Sequence, residues 1–379
     1  MKEKLTIRNF GPIKSAEIEV NDLTVFVGPQ ATGKSLVTQI LYFFRRLETF
    51  YIPGREMTNL FDDDPKILAL TKTLSWWFGN DISTYVDRNS VLRWEVANNT
   101  QETSLQEISW SGNSASISED LERRIEQQRK LEDVEVYIPS ERALYSFLPP
   151  YVLSSRFLAA EDWPGYISTF YETLGRTVDW LYRHQDASEK TSDTFLSSRI
   201  ETIFKGQIKY LPSTVALKVK TKTFPITAVA GGQMEAWPFW AIVEAGFRSD
   251  RLRSARIYFD EPEAHLHPAA QRIIIEMIAY LVNHSKTQYV LATHSPFVLY
   301  TINLLIKAHE IRESGHLLPK EIPLKAILSP EQIAAYRFPD AGIIQNIKDP
   351  ITNLIDEDEL DQVADDLGAI FTDLLEKQE

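Results

Sequence analysis

The sequence predicts an α/β protein organised around a mostly parallel core sheet, and three observations carry that prediction. The apolar run LTVFV leads straight into the glycine-rich GPQATGKS. A helix follows, with Val37, Ile40, Leu41, Phe44 and Leu47 at helical spacing. Further on, ARIYFDEPE, PAAQRIIIEMIAYLVNH and TQYVLATHSP read as strand, helix, strand, the order that builds parallel sheets. The 379 residues suffice for a large core, and 44% apolar with 25% charged residues is an ordinary globular composition.

At the N-terminus, LTIRNF and SAEIEV alternate and read as two strands around Gly11-Pro12, the start of an antiparallel N-terminal subdomain. Residues 51–133 are expected to be an insertion. Within it, FDDDPKILALTKTLSWWF predicts a helix with a buried Trp76-Trp77-Phe78 cluster. SVLRWEV and SLQEISW predict an antiparallel pair, and SEDLERRIEQQRK a charged, solvated helix. DVEVYIP reads as a core strand with SERAL as the turn out of it, so 1–50 and 134–144 form an N-terminal lobe holding the glycine-rich loop.

Residues 145–225 are expected to form a helical lobe, from TFYETLGRTVDWLYRH and SSRIETIFKGQI. In it ALKVKTKTF is a strand with Lys218, Lys220 and Lys222 on one face, either an ordinary exposed face or a phosphate-facing stripe. Residues 226–310 hold GGQMEAWPFWAIVEAGF, a turn and helix, and the strand–helix–strand block with Pro268 in the helix's first turn. Residues 311–379 end in an acidic amphipathic helix with Leu360, Val363, Leu367, Ile370 and Leu374 on one side.

Composition excludes several classes. There are no cysteines, hence no disulfide, thiol catalysis or Cys-based zinc site. Of seven histidines only His265 and His267 are close in sequence, with no third ligand, so no structural metal is expected. No apolar run reaches the ~18–20 residues of a membrane span, and MKEKLTIRNFGPIKSAEIEV lacks the apolar stretch of a secretory signal. A cytoplasmic protein is expected. The net charge of -13 argues against wholesale wrapping of DNA, leaves room for a local basic groove, and suits a basic protein partner.

Two segments carry chemistry. GPQATGKS, Gly28 to Ser35, fits G-x-x-x-x-G-K-[ST] in full, so its backbone N–H groups and the helix end would cradle phosphates. Lys34 would reach the β and γ phosphates and Ser35 would ligate Mg²⁺. In IYFDEPE an apolar strand delivers Asp260, the second Mg²⁺ ligand, followed at once by Glu261, placed to polarise a water. His294 ends the next strand, where a neutral imidazole can meet the γ-phosphate and orient that water.

The order GPQATGKS, GGQ, YFDEPEAHLHP, THS closely resembles the ABC-type ATPase heads of the SMC, Rad50, RecF and OLD group, and NFGPIKSAEIEV looks like the start of that family. The resemblance covers the chain apart from 51–133. It implies a P-loop NTPase with a mostly parallel core sheet, an antiparallel N-terminal subdomain and a helical lobe, using ATP and Mg²⁺. By resemblance, Gly28, Pro29, Gln30, Ala31, Thr32, Gly33, Lys34 and Ser35 form the Walker A loop, and Asp260 and Glu261 the Walker B pair. Glu263 to Pro268 is the D-loop, His294 the switch histidine and Val229 to Gln233 the signature. The family implies that two heads sandwich ATP. Ala230, Gly231, Gly232 and Gln233 of each would meet the nucleotide of the other across a two-fold interface that hydrolysis releases.

Two positions depart from the family. Signatures usually carry Ser where this chain has Ala230, which removes a hydrogen bond to a charged group of about 1.5–3 kcal/mol and leaves the backbone N–H groups of Gly231, Gly232 and Gln233. No Q-loop glutamine is evident. YIPSERAL takes its place, with Glu141 or Arg142 facing the nucleotide or a water, or forming a structural salt bridge.

Long heptads are absent, as are the Toprim acids of the OLD type and an HNH signature. The reading is therefore an ATP-hydrolysing switch that pairs with itself, as a dimer of heads or a higher oligomer, and controls a separate effector. It is most like the standalone ATPase subunits of bacterial anti-phage systems such as PARIS and Septu. The alternatives are a RecF-like clamp on duplex DNA, using Lys218–Lys222 or Arg248–Arg256, and an ATP-binding assembly scaffold with little turnover.

Overall fold

The structure is a computed structural model that describes residues 2–50, 65–79, 81–97, 103–111, 114–127, 134–147, 163–184, 193–211 and 214–356. The acidic segment expected as an amphipathic helix lies outside these residues beyond Asp356. From the N-terminus, β1 (Lys2–Phe10) and β2 (Ile13–Val20) form a hairpin, and β3 (Leu23–Val27) leads through the glycine-rich loop into α1 (Lys34–Phe50). Then come α2 (Pro65–Phe78), β4 (Val86–Ala97), β5 (Thr103–Ser111), β6 (Ser114–Ile117), α3 (Glu119–Gln127) and β7 (Glu135–Ile138). A lobe of α4 (Gly165–Arg183), α5 (Thr194–Phe204), β8 (Gln207–Leu211), β9 (Thr214–Val219) and β10 (Lys222–Pro225) follows. The chain continues with α6 (Gly231–Arg248), β11 (Arg256–Asp260), α7 (Pro268–Ser285), β12 (Gln288–Thr293), α8 (Pro296–Glu313), β13 (Ile333–Arg337) and β14 (Gln345–Asn346).

The core sheet has the order β14-β13-β3-β12-β11-β7, parallel throughout except for β14. Its strands β3, β12 and β11 are apolar on both faces, as a sheet covered on both sides requires. Leu23, Val25, Ile257, Phe259, Tyr289 and Leu291 point into one core, shared with α4 to α8. Phe26, Tyr258 and Val290 between them point into the other, shared with α1 and the N-terminal sheet. Among the described residues no helix is long and apolar enough to cross a membrane.

Three expectations change. Residues 86–117, expected within an insertion, complete the N-terminal sheet, whose order is β2-β1-β4-β5-β6. Ile7 pairs with Leu92 and Leu92 with Ile108, so three strands present one apolar row to α1. Lys218, Lys220 and Lys222 do not share a strand face. Lys218 lies on β9, Lys220 turns the hairpin with φ 54, and Lys222 opens β10 opposite Val219. Finally, β13 joins the core sheet beside β3, where no strand was expected. Its IAAYR carries two alanines, a weak strand signal that burial between β3 and β14 overrides.

A buried set of charges ties the two sheets together. Arg45 on α1 meets the carboxylate of Glu3 on β1, and its other amino group lies 4.0 Å from Glu135 on β7. Arg256 on β11 completes the set, donating to Glu135 at 3.0 Å and to Gln288 at 2.7 Å. Breaking a buried pair leaves the remaining charge without compensation. Arg45→Met is expected to destabilise the chain by about 3–5 kcal/mol, read from urea unfolding.

Candidate functional site

Three strands end side by side. β12 lies between β3 and β11, with Thr293 opposite Val27 and Ala292 opposite Asp260. The residues following each strand therefore emerge together: Gly28 to Ser35 after β3, His294 after β12 and Glu261 after β11. This is the carboxyl edge, where open parallel sheets bind ligands.

The loop from Gly28 to Gly33 is held in one shape. Gly28 has φ 147, and a Cβ there would stand 2.4 Å from the carbonyl oxygen of Phe338, just past β13. The Phe338 amide donates to the carbonyl of Val27, which anchors the loop's first residue to β13. Ala31 holds φ 63, and the Thr32 hydroxyl donates to Pro29 O at 2.9 Å. Lys34 begins α1 and folds its ammonium back on the loop, donating to Gly28 O at 2.8 Å and Pro29 O at 2.5 Å. Burial lowers its pKa, and the charges of Glu261, Asp260 and Glu263 act against that.

Asp260 is 1% exposed. One carboxylate oxygen accepts from the Tyr137 hydroxyl, which also accepts from Gln39 Nε2 at 3.3 Å. Its Oδ1 is buried with no partner. Burial pushes the carboxyl up to about 7, against the pull of the Tyr137 and Ser35 hydroxyls. A deeply buried acid with an open oxygen beside a serine hydroxyl suits a hard divalent cation, so Asp260 and Ser35 fit Mg²⁺.

Glu261 is half-buried and holds a left-handed backbone, φ 48, a strained conformation for a non-glycine residue. Its amide donates to Ala292 O at 2.8 Å. Two residues on, Glu263 is 4% exposed. One of its oxygens accepts from the Thr293 hydroxyl at 2.7 Å and the His294 amide at 2.9 Å, while Oε2 stays unpartnered. That pins the ends of β11 and β12 to each other. The His294 ring nitrogen Nδ1 then lies 3.6 Å from Glu261 and 3.4 Å from Glu263, with the side chain 42% exposed.

Ala230 to Gln233 open α6. Ala230 is its N-cap, extended at φ -63 and ψ 148, with no side-chain cap. Gly232 packs against the turn after Glu261, where an added Cβ would stand 2.5 Å from His265 O. Gln233 departs from its expected part: its amide donates to Ala230 O at 2.9 Å and its side chain to Phe204 O at 2.9 Å. Only the Gly231 and Gly232 amides remain of the three donors expected. Among the described hydrogen bonds none joins this segment to the Gly28–Ser35 loop.

The residues after β7 are also resolved. Glu141 is exposed and accepts from Ser140 Oγ at 3.1 Å. Arg142 is 1% exposed and faces protein, not a ligand-accessible surface. It donates to Glu235 O at 2.9 Å, Pro139 O at 3.1 Å, Asp260 O at 3.0 Å and Glu261 O at 2.9 Å. His267, half of the pair close in sequence, caps α7 by accepting from Ala269 N, and among the described residues no group of three or more acids and histidines is arranged to hold a metal ion.

Sequence reasoning missed Tyr137 and the bond network of Glu263. Tyr137 is legible as the one aromatic residue of EVYI, on the α1 side, and Glu263 as a third acid only two residues past the pair. A buried acid raised from 3.8 to about 7 binds a proton in the folded chain that the unfolded chain releases, so its contribution to stability is present below pH 4 and is lost as pH rises to 7. In Mg²⁺-free buffer Asp260→Asn is therefore expected to flatten the fall of unfolding free energy across this window, by an amount on the order of a few kcal/mol, read from urea unfolding at each pH.

Comparison with known proteins bears on the whole arrangement. No curated protein matches the sequence. Among solved structures, the Smc head bound to the C-winged helix domain of ScpA aligns at 13% identity and TM-score 0.49, over 91% of this chain and 96% of that one. The SMC head domain from Thermotoga maritima aligns at 13% and 0.44, over 92% and 99%. The Pyrococcus furiosus Smc head with an extended coiled coil, bound to the C-terminal domain of ScpA, aligns at 10% and 0.49, over 91% and 95%. Residues 1–148 and 160–299, which hold the ends of β3, β11 and β12, match the AAA ATPase domain, and the chain belongs to that family.

Proposed function

We propose that this ATPase is a nucleotide-gated switch: two copies close on ATP, and hydrolysis reopens them. The observation that carries the reading is the meeting of Lys34, Asp260, Glu261 and His294 at three adjacent strand ends, with no described hydrogen bond between Ala230–Gln233 and the phosphate loop. A signature segment not bonded to the loop of its own chain suits a nucleotide held by a second copy.

In this reading the loop amides and Lys34 bind the phosphates. Lys34 exchanges the Gly28 and Pro29 carbonyls for phosphate oxygens. Ser35 and Asp260 would hold Mg²⁺, which when bound neutralises charge on the phosphoryl oxygens. Glu261 takes the proton of the attacking water, and His294 orients it. The water oxygen bonds to the γ-phosphorus as the bond to ADP breaks. The Gly231 and Gly232 amides meet the partner's γ-phosphate, without the hydroxyl that a serine at 230 would add.

Likeness to the standalone ATPase subunits of two-component anti-phage systems extends the reading to control of a separate effector. A second reading, a clamp on nucleic acid, draws on one surface. Lys205, Lys209, Lys218, Lys220 and Lys222 are exposed around β8 to β10, and no acidic residue lies between Glu201 and Glu235. Duplex affinity that requires ATP and falls steeply with salt would favour it.

Lys34→Ala is expected to abolish ATP binding in calorimetry. Glu261→Gln is expected to keep ATP and lower kcat about a hundredfold, and with ATP and Mg²⁺ to double its mass or more in light scattering. A Glu261→Gln chain that stays monomeric with ATP rules out the two-copy switch. Ala230→Ser is expected to tighten ATP-dependent pairing about tenfold, the effect of restoring a hydrogen bond to a charged group.

A further inference from the structure

Arg142 is among the largest fully buried side chains of the described residues, and it meets Asp260 and Glu261 through their backbone carbonyls, not their carboxylates. Its guanidinium nonetheless sits behind the site. It stacks 5.0 Å over the Phe259 ring on β11, which fixes its plane. From there its nitrogens reach four carbonyl oxygens on separate segments. Pro139 follows β7, Asp260 ends β11, Glu261 begins the turn and Glu235 lies one turn into α6. The carboxylate of Glu235, 6% exposed, lies 3.3 Å from Nε and offsets the buried charge.

The bond to Glu261 has a particular consequence. Glu261 is held at φ 48, away from the backbone regions open to a glutamate at low energy. Such strain persists only where the surroundings over-determine it. On one side the Glu261 amide is fixed by Ala292 O in the sheet, and on the other its carbonyl is fixed by Arg142 Nη2 and the Ala264 amide. The direction of the Glu261 side chain follows from this backbone. A planar fork with fixed donor directions can serve four carbonyls at once, whereas a lysine ammonium, a single point at the end of a flexible stem, cannot.

We propose that Arg142 is a positioning residue for hydrolysis, which locks the backbone of Glu261 so that its carboxylate faces the attacking water and which anchors that turn to the first turns of α6. The inference rests on Glu261 being the proton acceptor. Arg142 and Glu235 act as one unit, joining the helix that starts at Ala230 to the turn that carries Glu261. A change at the start of α6 is therefore transmitted to Glu261 through one side chain.

The test is Arg142→Lys, checked for an intact fold by its melting curve and assayed for ATP affinity, KM and kcat. It keeps the positive charge and loses the fork. Expected are unchanged ATP affinity and KM and a kcat lower by about a hundredfold, the scale of an ångström-level misplacement. In the Glu261→Gln background the same substitution is expected to lower kcat no further, because the group it positions is already disabled. ATP affinity falling in step with kcat, or an equal further loss in the Glu261→Gln background, overturns the proposal, since general damage to the core would produce both. A Glu261→Gln chain that turns over at the wild-type rate removes Glu261 as proton acceptor, and this inference with it. Should Arg142→Lys fail to fold, Glu235→Gln, which loosens the anchor and keeps the arginine, is expected to lower kcat severalfold at constant ATP affinity. Unchanged kcat there overturns the proposal as well.

Discussion

Parallel, in-register pairing of β3, β12 and β11 is the constraint on which the rest of the structure depends. Hydrogen bonding along these strands sets where each one ends, and the ends carry the phosphate loop, the acid pair and His294. Because both faces of the sheet are buried, the register cannot slip by one residue without moving apolar side chains out of both cores. Positional accuracy at the carboxyl edge is thus supplied by hydrophobic packing some distance away. The N-terminal sheet contributes through α1, whose apolar side fills the space between the two sheets and whose first turn is the end of the phosphate loop.

A second feature is the concentration of buried, partly unsatisfied acid. Asp260 and Glu263 each keep a buried carboxylate oxygen without a hydrogen-bond partner, while that of Glu235 is ion-paired to Arg142. Such atoms are rare in folded proteins and are tolerated where a ligand or ion completes them. Burial raises Asp260 and Glu235 together, and the single fixed cation in their midst is Arg142. Lys34, whose charge is compensated by nearby carboxylates but whose hydrogen bonds go only to loop carbonyls, is a cation ready to change partners. A site of this kind gains from bringing in both a divalent cation and an anion, which is the charge composition of a magnesium nucleotide.

Most of the fold was legible. The sheet-forming strands β3, β7, β11 and β12 are apolar runs bounded by turn residues, and periodicity identifies such segments well. β13 was not, because Ala334 and Ala335 are as common in helices and only their place between β3 and β14 makes them strand. The affiliation of β4 to β6 was likewise hidden. Alternation of Leu92, Trp94 and Ile108 announces a half-buried pair but does not say which sheet it extends.

At the site, the sequence by itself determined the identities and order of the polar groups. A loop rich in glycine before a lysine and serine, and an apolar strand closing in Asp260-Glu261, can be read one residue at a time, since each depends on local backbone geometry. Only the tertiary structure decided what those groups lean on. Tyr137 behind Asp260, Glu263 between two strand ends and Phe338 beneath Gly28 are separated by long stretches of chain from what they hold. Arg142 shows the difference most sharply. Its sequence position allowed a ligand contact or a salt bridge, and four carbonyls gathered from distant segments made it a buried support. A carbonyl oxygen belongs to every residue alike, so no residue type in the sequence marks where a guanidinium will find four of them.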